Sequence, residues 1–312
     1  MPENKEIVWF DGRLMPADKA LVPLRTHALH YGTSVFEGIR CYETACGKPA
    51  IFRLPEHIDR LFFSADVLGV TVPFSKEAIR KAIKDTIKAN NLKECYIRPL
   101  FFIGDGPLGV SAKNPVHCAI IVQPWGKYFD KGAISVRITN IQRLHPGSAN
   151  MSAKVGGHYF NSVMANNEAH AYGADEALLL DHNNLVAEGA GQNIFLVIED
   201  KVSKKPILAT PKLGNILPGI TRYTIMTLAD IELGIKTSET DIDPCHLTIP
   251  TTKEIFFCGT AVEVCPITKV NGVVVANGQA GPVSLKLKEL YGKAVHGELE
   301  EEAYLYWLDY IE

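Results

Sequence analysis

Two hydrophobic periods alternate along the chain. Glu6-Ile-Val-Trp-Phe10, the turn Asp11-Gly12 and the return Arg13-Leu-Met15 predict a hairpin. Residues 34–42 and 50–53 read as extended again. From 55 to 68 the apolar positions Ile58, Leu61, Phe62, Ala65 and Leu68 recur at helical spacing. A second helix is expected over 74–90, with Ile79, Ala82, Ile83 and Ile87 on one face. Two apolar runs, 95–103 and 116–123, predict buried strands. The pattern then breaks at Pro124-Trp-Gly-Lys-Tyr128, with Gly132 close behind, and marks 124–134 as an interdomain loop.

Beyond the loop, strands and helices alternate. A helix is expected over 160–172, and the strands 176–180 and 184–188 pair around the turn Asp181-His-Asn-Asn. Residues 192–198 form another strand, and a helix over 221–233 aligns Ile225, Leu228 and Ala229. Strands 254–258, 262–268 and 273–275 follow, with Asn271-Gly272 as a hairpin turn, and a last helix covers 284–295. The expectation is an α+β protein of two domains: a small N-terminal one over 1–123 and a large C-terminal one over 135–312. Neither internal repeats nor low-complexity segments interrupt it.

Composition narrows the class of partner. The chain has 312 residues, 46% hydrophobic and 21% charged, as an ordinary soluble globular protein does. A net charge of -3, from 32 basic and 35 acidic residues, argues against nucleic acid and leaves small molecules as partners. The first ten residues lack a signal-peptide layout, and runs such as Ala119-Ile-Ile-Val122 are too short to span a bilayer. The seven cysteines, an odd number without a C-x-x-C pair, read as reduced thiols in a cytoplasmic protein with no metal.

The candidate chemistry centres on Lys154, in Met151-Ser-Ala-Lys-Val-Gly-Gly-His-Tyr-Phe160. A lysine between small residues and a Gly-Gly pair is badly placed as a solvated charge, and an amine in a crowded pocket can form a Schiff base with a carbonyl. Glu188-Gly-Ala-Gly-Gln-Asn193 ends a strand; it is either a glycine-rich turn with a solvated acid or an acid aimed at a protonated ring nitrogen. Leu217-Pro-Gly-Ile-Thr-Arg222 opens a helix, whose N–H groups either grip a phosphate or are merely capped by Thr221. Gly259-Thr-Ala261 offers a tight turn with a hydroxyl. His27 and His30, three apart, lack a third ligand and read as structural; in Phe36-Glu-Gly-Ile-Arg40 the two charges read as an ion pair. No strand-linked G-x-G-x-x-G supports a dinucleotide fold, and Gly104-Asp-Gly106 is a loop and no P-loop.

Taken in order, six segments resemble the branched-chain amino-acid aminotransferases among the class IV, fold-type IV enzymes of pyridoxal 5′-phosphate (PLP). They are His27-Ala-Leu-His-Tyr-Gly-Thr-Ser-Val-Phe-Glu-Gly-Ile-Arg40, Tyr96-Ile-Arg-Pro-Leu100, the Lys154 segment through Tyr159, Glu188–Asn193, Leu217–Arg222 and Gly259–Ala261. The resemblance runs over essentially the whole chain. It implies the two-domain fold shared with D-amino-acid aminotransferase, each domain a mixed sheet or barrel with helices. It also implies PLP as cofactor and reversible transfer of the amino group of L-leucine, L-isoleucine or L-valine to 2-oxoglutarate.

Carried over by position, the resemblance makes Lys154 the Schiff-base lysine and proton shuttle. Tyr159 faces the cofactor phenolate and Glu188 the ring nitrogen. Arg60, Leu217, Gly219, Ile220, Thr221 and Thr260 match the phosphate site. Thr260, Ala261 and Tyr96 match the α-carboxylate site, Tyr31, Phe36, Trp125 and Tyr159 wall an apolar side-chain pocket, and Arg40 is a further substrate-binding residue. Arg98 matches the residue that accepts the distal carboxylate of glutamate. Leu108 and Val110 resemble a loop that reaches a neighbouring subunit, which implies a homodimer at least, or a homohexamer. Gln192, His158 and Leu108 depart from the usual bacterial pattern, where glutamate, asparagine and methionine are common. Two other class IV enzymes, D-amino-acid aminotransferase and aminodeoxychorismate lyase, share the lysine, the acid and the phosphate loop. The segments at 36–40 and 96–99 favour the branched-chain form.

Overall fold

The computed structural model describes residues 6–126, 128–200, 202–300, 304 and 306–312. They form two compact units. The first comprises residues 1–126, 153–158 and 294–312; the second comprises 127–152 and 159–293. The sequence had suggested contiguous domains with Lys154 in the second; residues 153–158 group instead with the first, and so does the C-terminal segment.

The first unit is built on an antiparallel eight-stranded sheet. Its strands are β1 (Ile7–Phe10), β2 (Arg13–Pro16), β3 (Ser34–Phe36), β4 (Ile39–Glu43), β5 (Pro49–Phe52), β6 (Cys95–Ile103), β7 (Val116–Gln123) and the terminal strand Leu308–Tyr310. The hairpin β1–β2 turns through Asp11 and Gly12, both at positive φ (45° and 91°), as a two-residue turn between right-twisted strands requires. The single extended run expected over 34–42 is two strands. Both pair with β6, Ser34–Phe36 opposite Phe102–Leu100 and Ile39–Cys41 opposite Ile97–Cys95. They part at Glu37-Gly38, and there the Glu37 N–H donates to Pro99 O at 3.0 Å.

Helices α1 (His27–Tyr31), α2 (Leu54–Val67) and α3 (Lys76–Ala89) accompany this sheet. The apolar face read for α2 is buried through Ile58, Leu61 and Ala65, and that of α3 through Ile79, Ala82, Ile83 and Ile87. They join Trp9, Val35, Ile97, Phe101 and Ile120 in one core.

The second unit holds a mixed nine-stranded sheet. Its strands are β8 (Ile134–Ile138), β9 (Glu176–Leu180), β10 (Val186–Gly189), β11 (Asn193–Glu199), β12 (Pro206–Pro211), β13 (Thr237–Thr240), β14 (Thr252–Gly259), β15 (Glu263–Val270) and β16 (Val273–Val274). Parallel pairs β8–β9, β8–β15 and β12–β13 interrupt the antiparallel ones. Helices α4 (Tyr159–Ala171) and α5 (Ile220–Leu233) lie in this unit; α6 (Pro282–His296) follows, its last three residues grouped with the first unit. Helix α5 buries Ile225, Leu228 and Ala229 fully. It ends on Gly234 at φ 60°, where the Gly234 and Ile235 N–H groups close onto Asp230 and Ala229. Strands β8, β12 and β13 carried no clear sequence signal: β13 is Thr-Ser-Glu-Thr, and β12 begins and ends on proline. Among the described residues no helix is long and apolar enough to cross a membrane.

Candidate active site

The residues singled out in the sequence form two sets, one in each unit. In the first, the Lys154 backbone is held from both sides. Its N–H donates to Ser64 Oγ at 2.9 Å, and its carbonyl accepts from the Phe36 N–H at 3.2 Å. The Ser64 hydroxyl, fully buried, donates onward to the Arg60 carbonyl at 2.7 Å. Val155 bridges Val35. The glycines after the lysine permit this approach. A Cβ on Gly156 would meet Ser34 Oγ at 2.2 Å. The Gly157 N–H donates to Gly32 O at 3.0 Å, and a Cβ on Gly32, itself at φ +66°, would meet Gly157 Cα at 2.7 Å.

Phe36 gathers two cations. Lys154 Nζ stands 5.1 Å from its ring centroid and Arg98 Cζ 4.5 Å. Arg98 Nη2 donates to Tyr96 Oη at 2.9 Å, and Tyr96 stacks on Trp125 with centroids 4.6 Å apart. Tyr96 takes its place because residue 38 is glycine: a Cβ there would lie 2.1 Å from its hydroxyl. Arg98 Nε is buried and hydrogen-bonds nothing among the described residues. Its charge is thus held on aromatic faces. Arg40 lies over the Tyr42 ring at 4.4 Å. Tyr31 packs on His27 with centroids 4.4 Å apart and is partly exposed; Leu108 and Val110 stand in solvent. His27 bonds Thr33 Oγ1 and Gly109 O, at 2.8 and 3.0 Å, an ordinary structural pair of contacts.

The ion pair suspected within 36–40 takes another form. Glu37, fully buried, accepts from Arg60 Nε at 2.6 Å and Nη2 at 2.9 Å, and meets His57 Nδ1 at 2.8 Å. Burial pushes the Glu37 carboxyl up, but the Arg60 charge and the hydrogen bonds from His57 and Arg60 outweigh it and hold it well below the usual carboxylate range. Burial in turn lowers His57, against the pull of Glu37. Ser64 and His57 escaped the sequence reading; each is a polar residue on the buried face of α2, and that oddity was the available signal.

In the second unit Glu188 is the centre. Its Oε1 accepts from Arg143 Nε at 2.7 Å and its Oε2 from Asn193 Nδ2 at 3.1 Å, while the Leu217 N–H reaches the two oxygens at 3.3 and 3.2 Å. Arg143, which no sequence pattern marked, comes from the irregular stretch after β8. Gln192 uses both ends of its amide: Oε1 accepts from the Gly191 N–H at 3.0 Å and Nε2 donates to Glu176 Oε2 at 2.9 Å. Burial pushes the Glu176 carboxyl up.

Helix α5 starts at Ile220 on the N-cap Gly219, which has no side chain to cap its first N–H groups. A Cβ on Gly219 would lie 1.9 Å from Asn193 Oδ1, so this glycine ties the helix start to the Glu188 turn. Thr221 and, behind it, Arg222 are buried. Thr260 and Ala261 occupy the turn between β14 and β15, half-buried, and a Cβ on Gly259 just before them would lie 3.6 Å from Gly191 O and 3.8 Å from Gln192 Cα. Tyr159 opens α4, five residues after Lys154.

This arrangement has close parallels. The model of amino-transferase class IV matches residues 34–270. The branched-chain-amino-acid aminotransferase of Pseudomonas aeruginosa is 41% identical over 308 residues, 97% of each chain. The crystal structure of the Escherichia coli branched-chain amino acid aminotransferase superposes with a TM-score of 0.92 at 37% identity, over 99% of this chain and all of that one (100%). That of Thermobaculum terrenum, in its PLP form, superposes with a TM-score of 0.89 at 30% identity, over 99% of both chains. Family model, sequence relatives and fold agree, and the chain belongs to the class IV aminotransferases, in their branched-chain amino-acid family.

Proposed function

We propose that the chain is a PLP-dependent branched-chain-amino-acid transaminase. It moves the amino group of L-leucine, L-isoleucine or L-valine reversibly to 2-oxoglutarate, giving the branched 2-oxo acid and L-glutamate. The residues fit the cofactor. A helix start with a glycine N-cap suits a phosphate, and a buried, firmly held carboxylate suits a cationic ring nitrogen. When bound, PLP supplies the aldehyde that takes up the substrate amine and the ring that accepts the electron pair left at Cα.

The chain's own groups do the rest. Lys154 would hold the cofactor through its amine, and that amine, when free, would move the proton between Cα and C4′. Glu188 accepts the ring N–H, and Tyr159 donates to the phenolate oxygen. The Ile220 and Thr221 N–H groups, the Thr221 and Thr260 hydroxyls and Arg60 hold the phosphate, with Leu217 and Gly219 shaping the approach. Thr260 and Ala261 N–H groups and Tyr96 orient the α-carboxylate. Tyr31, Phe36, Arg40 and Trp125 line the side-chain pocket, and Leu108 and Val110 come from a neighbouring copy in a homodimer or homohexamer. The enzyme works in the cytoplasm.

One observation carries the substrate reading: the Arg98 cation lies on the aromatic faces of Phe36 and Tyr96. Such a pocket takes an apolar branched side chain against its rings and a distal carboxylate against its charge, so one site serves both half-reactions. Half-reactions with Arg98→Met test it. Stopped-flow should find amine transfer from L-leucine within about 10-fold of the native rate and transfer to 2-oxoglutarate reduced about 100-fold or more, the loss expected when a buried carboxylate has no partner. Equal losses on both sides, or turnover only with D-alanine or pyruvate release from aminodeoxychorismate, would overturn the assignment.

A further inference from the structure

Arg143 carries a second charge into the heart of the Glu188 network. Both side chains are nearly excluded from solvent, at 9% and 6% exposure, and their charge-assisted bond, 2.7 Å, is shorter than the 3.1 Å bond from Asn193 to the same carboxylate. The arginine is fastened independently of the acid. Its backbone N–H donates to Leu180 O at 2.8 Å, and its Nη1 reaches Asn161 Oδ1 at 3.4 Å. Asn161, buried on α4, is in turn tied to Gln142 O at 2.8 Å. The guanidinium is therefore a fixed object against which the carboxylate is set.

A carboxyl buried this deeply and left without a cation takes up a proton near neutral pH. A neutral acid has one oxygen committed to its own proton and offers no charge to a protonated ring nitrogen. Arg143 supplies the cation, and Asn193 with the Leu217 N–H fixes the direction of the remaining lone pairs.

We propose that Arg143 is a positioning residue: acting through Glu188, it keeps that carboxylate ionised and aimed for the PLP ring nitrogen. The inference rests on the reading of Glu188 given above. It distinguishes Arg143 from a merely structural arginine, because its effect should vanish once Glu188 can no longer ionise.

The test uses Arg143→Gln, Arg143→Lys, Glu188→Gln and the double variant Arg143→Gln/Glu188→Gln. In the cofactor-free protein, unfolding by urea is followed against pH. In Arg143→Gln the folded Glu188 titrates above its unfolded value, so stability is full at low pH and falls as pH rises from about 5 to about 8. The double variant lacks this fall, and Arg143→Lys reduces it by keeping a cation in place. With PLP bound, Arg143→Gln lowers kcat/KM for L-leucine about 10- to 100-fold, a range typical of groups that orient a ligand-holding residue. Its pH profile gains an acid limb, along which activity recovers as pH rises. In the Glu188→Gln background the same substitution costs no more than about 2-fold, the scatter of uncoupled sites.

A fall in stability that persists in the double variant, or a full kinetic loss in the Glu188→Gln background, would overturn the proposal. A Glu188→Gln enzyme with native turnover would instead overturn the reading of Glu188. The pH dependence of cofactor-free Arg143→Gln then still reports on the pair by itself. Should Arg143→Gln fail to fold, Arg143→Met carries the same comparison against Arg143→Met/Glu188→Gln: pH-independent stability with native kinetics in Arg143→Met would refute it.

Discussion

Replacing Glu37 by glutamine removes one charge from the most deeply buried ionic cluster of the first unit. The Glu37 carboxylate is wholly enclosed, His57 is 2% exposed and Arg60 11%. With so little solvent the cluster gains nothing from screening, and the figure for breaking a buried pair applies: about 3 to 5 kcal/mol. The lower half of that range is the better choice. Glutamine keeps an acceptor for Arg60, and its amide can donate to a neutral His57, so the loss is mainly that of a carboxylate set against a guanidinium. We therefore expect Glu37→Gln to destabilise the first unit by about 3 kcal/mol.

The assay reads that unit alone, because the three tryptophans, Trp9, Trp125 and Trp307, all lie in it. Urea unfolding by tryptophan fluorescence should move to a lower midpoint without a change in slope. The pH dependence provides a second, sharper reading. Glu37 is held below its ordinary 4.5, so its contribution is complete above that value and is lost as pH falls through the folded value. His57 is likewise held below its ordinary 6.5, and its neutral form costs stability as pH falls from there. Native protein should lose stability in two stages on acidification, and Glu37→Gln should keep the first and lack the second. A midpoint shift worth less than about 1 kcal/mol, no more than an exposed pair contributes, together with an intact acid stage, would refute the account.

Two other outcomes follow from contacts already described. Gly38→Ala would force the Tyr96 hydroxyl from a position 2.1 Å from the new methyl, and with it the hydrogen bond to Arg98. Both half-reactions should slow about 10- to 100-fold, because Tyr96 orients the α-carboxylate that both substrates carry, and transfer to 2-oxoglutarate should slow at least as much as transfer from L-leucine, because Arg98 loses its partner too; a native rate in either half-reaction would count against it. Native protein should expose two thiols to an aromatic disulfide reagent, Cys46 before Cys245, and the other five only after unfolding. A hydrogen bond from Thr44 lowers Cys46 and one to Asp243 raises Cys245, while burial pushes Cys118 up to about 12. Rapid reaction of Cys41 or Cys95 would contradict this order.

What the sequence disclosed and what it hid differ in range. The faces of α2, α3 and α5 were legible because each is stated by five or fewer apolar side chains at one period, each about a turn or less from the next. Turn chemistry was legible for the same reason, in Asp11-Gly12 and Asn271-Gly272. Strand β13, polar throughout, exists because β12 offers it an edge, and nothing in Thr-Ser-Glu-Thr foretells that. The break at Glu37-Gly38 was hidden too. It answers to Pro99 and Tyr96 on the neighbouring strand, some sixty positions away.

The motif around Lys154 illustrates both ranges at once. Its small residues and paired glycines mark it as a place of close approach, but they do not say what approaches. The answer is the segment 32–36, through Gly32 against Gly157 and Ser34 against Gly156. This is why residues 153–158 group with the first unit although the chain around them belongs to the second. The same logic governs the charges. Glu37 and Arg60, read separately as half of a local ion pair and as a phosphate ligand, are partners across two elements, and Glu188 answers to an arginine with no motif of its own. Residues that touch a ligand sit in short patterns because ligands are small and loops present them together. Residues that hold those groups in place are supplied from wherever the fold brings a polar side chain within reach, so they carry no spacing to read. A buried polar residue on an otherwise apolar face, as with His57 and Ser64 on α2, is the trace they leave in sequence.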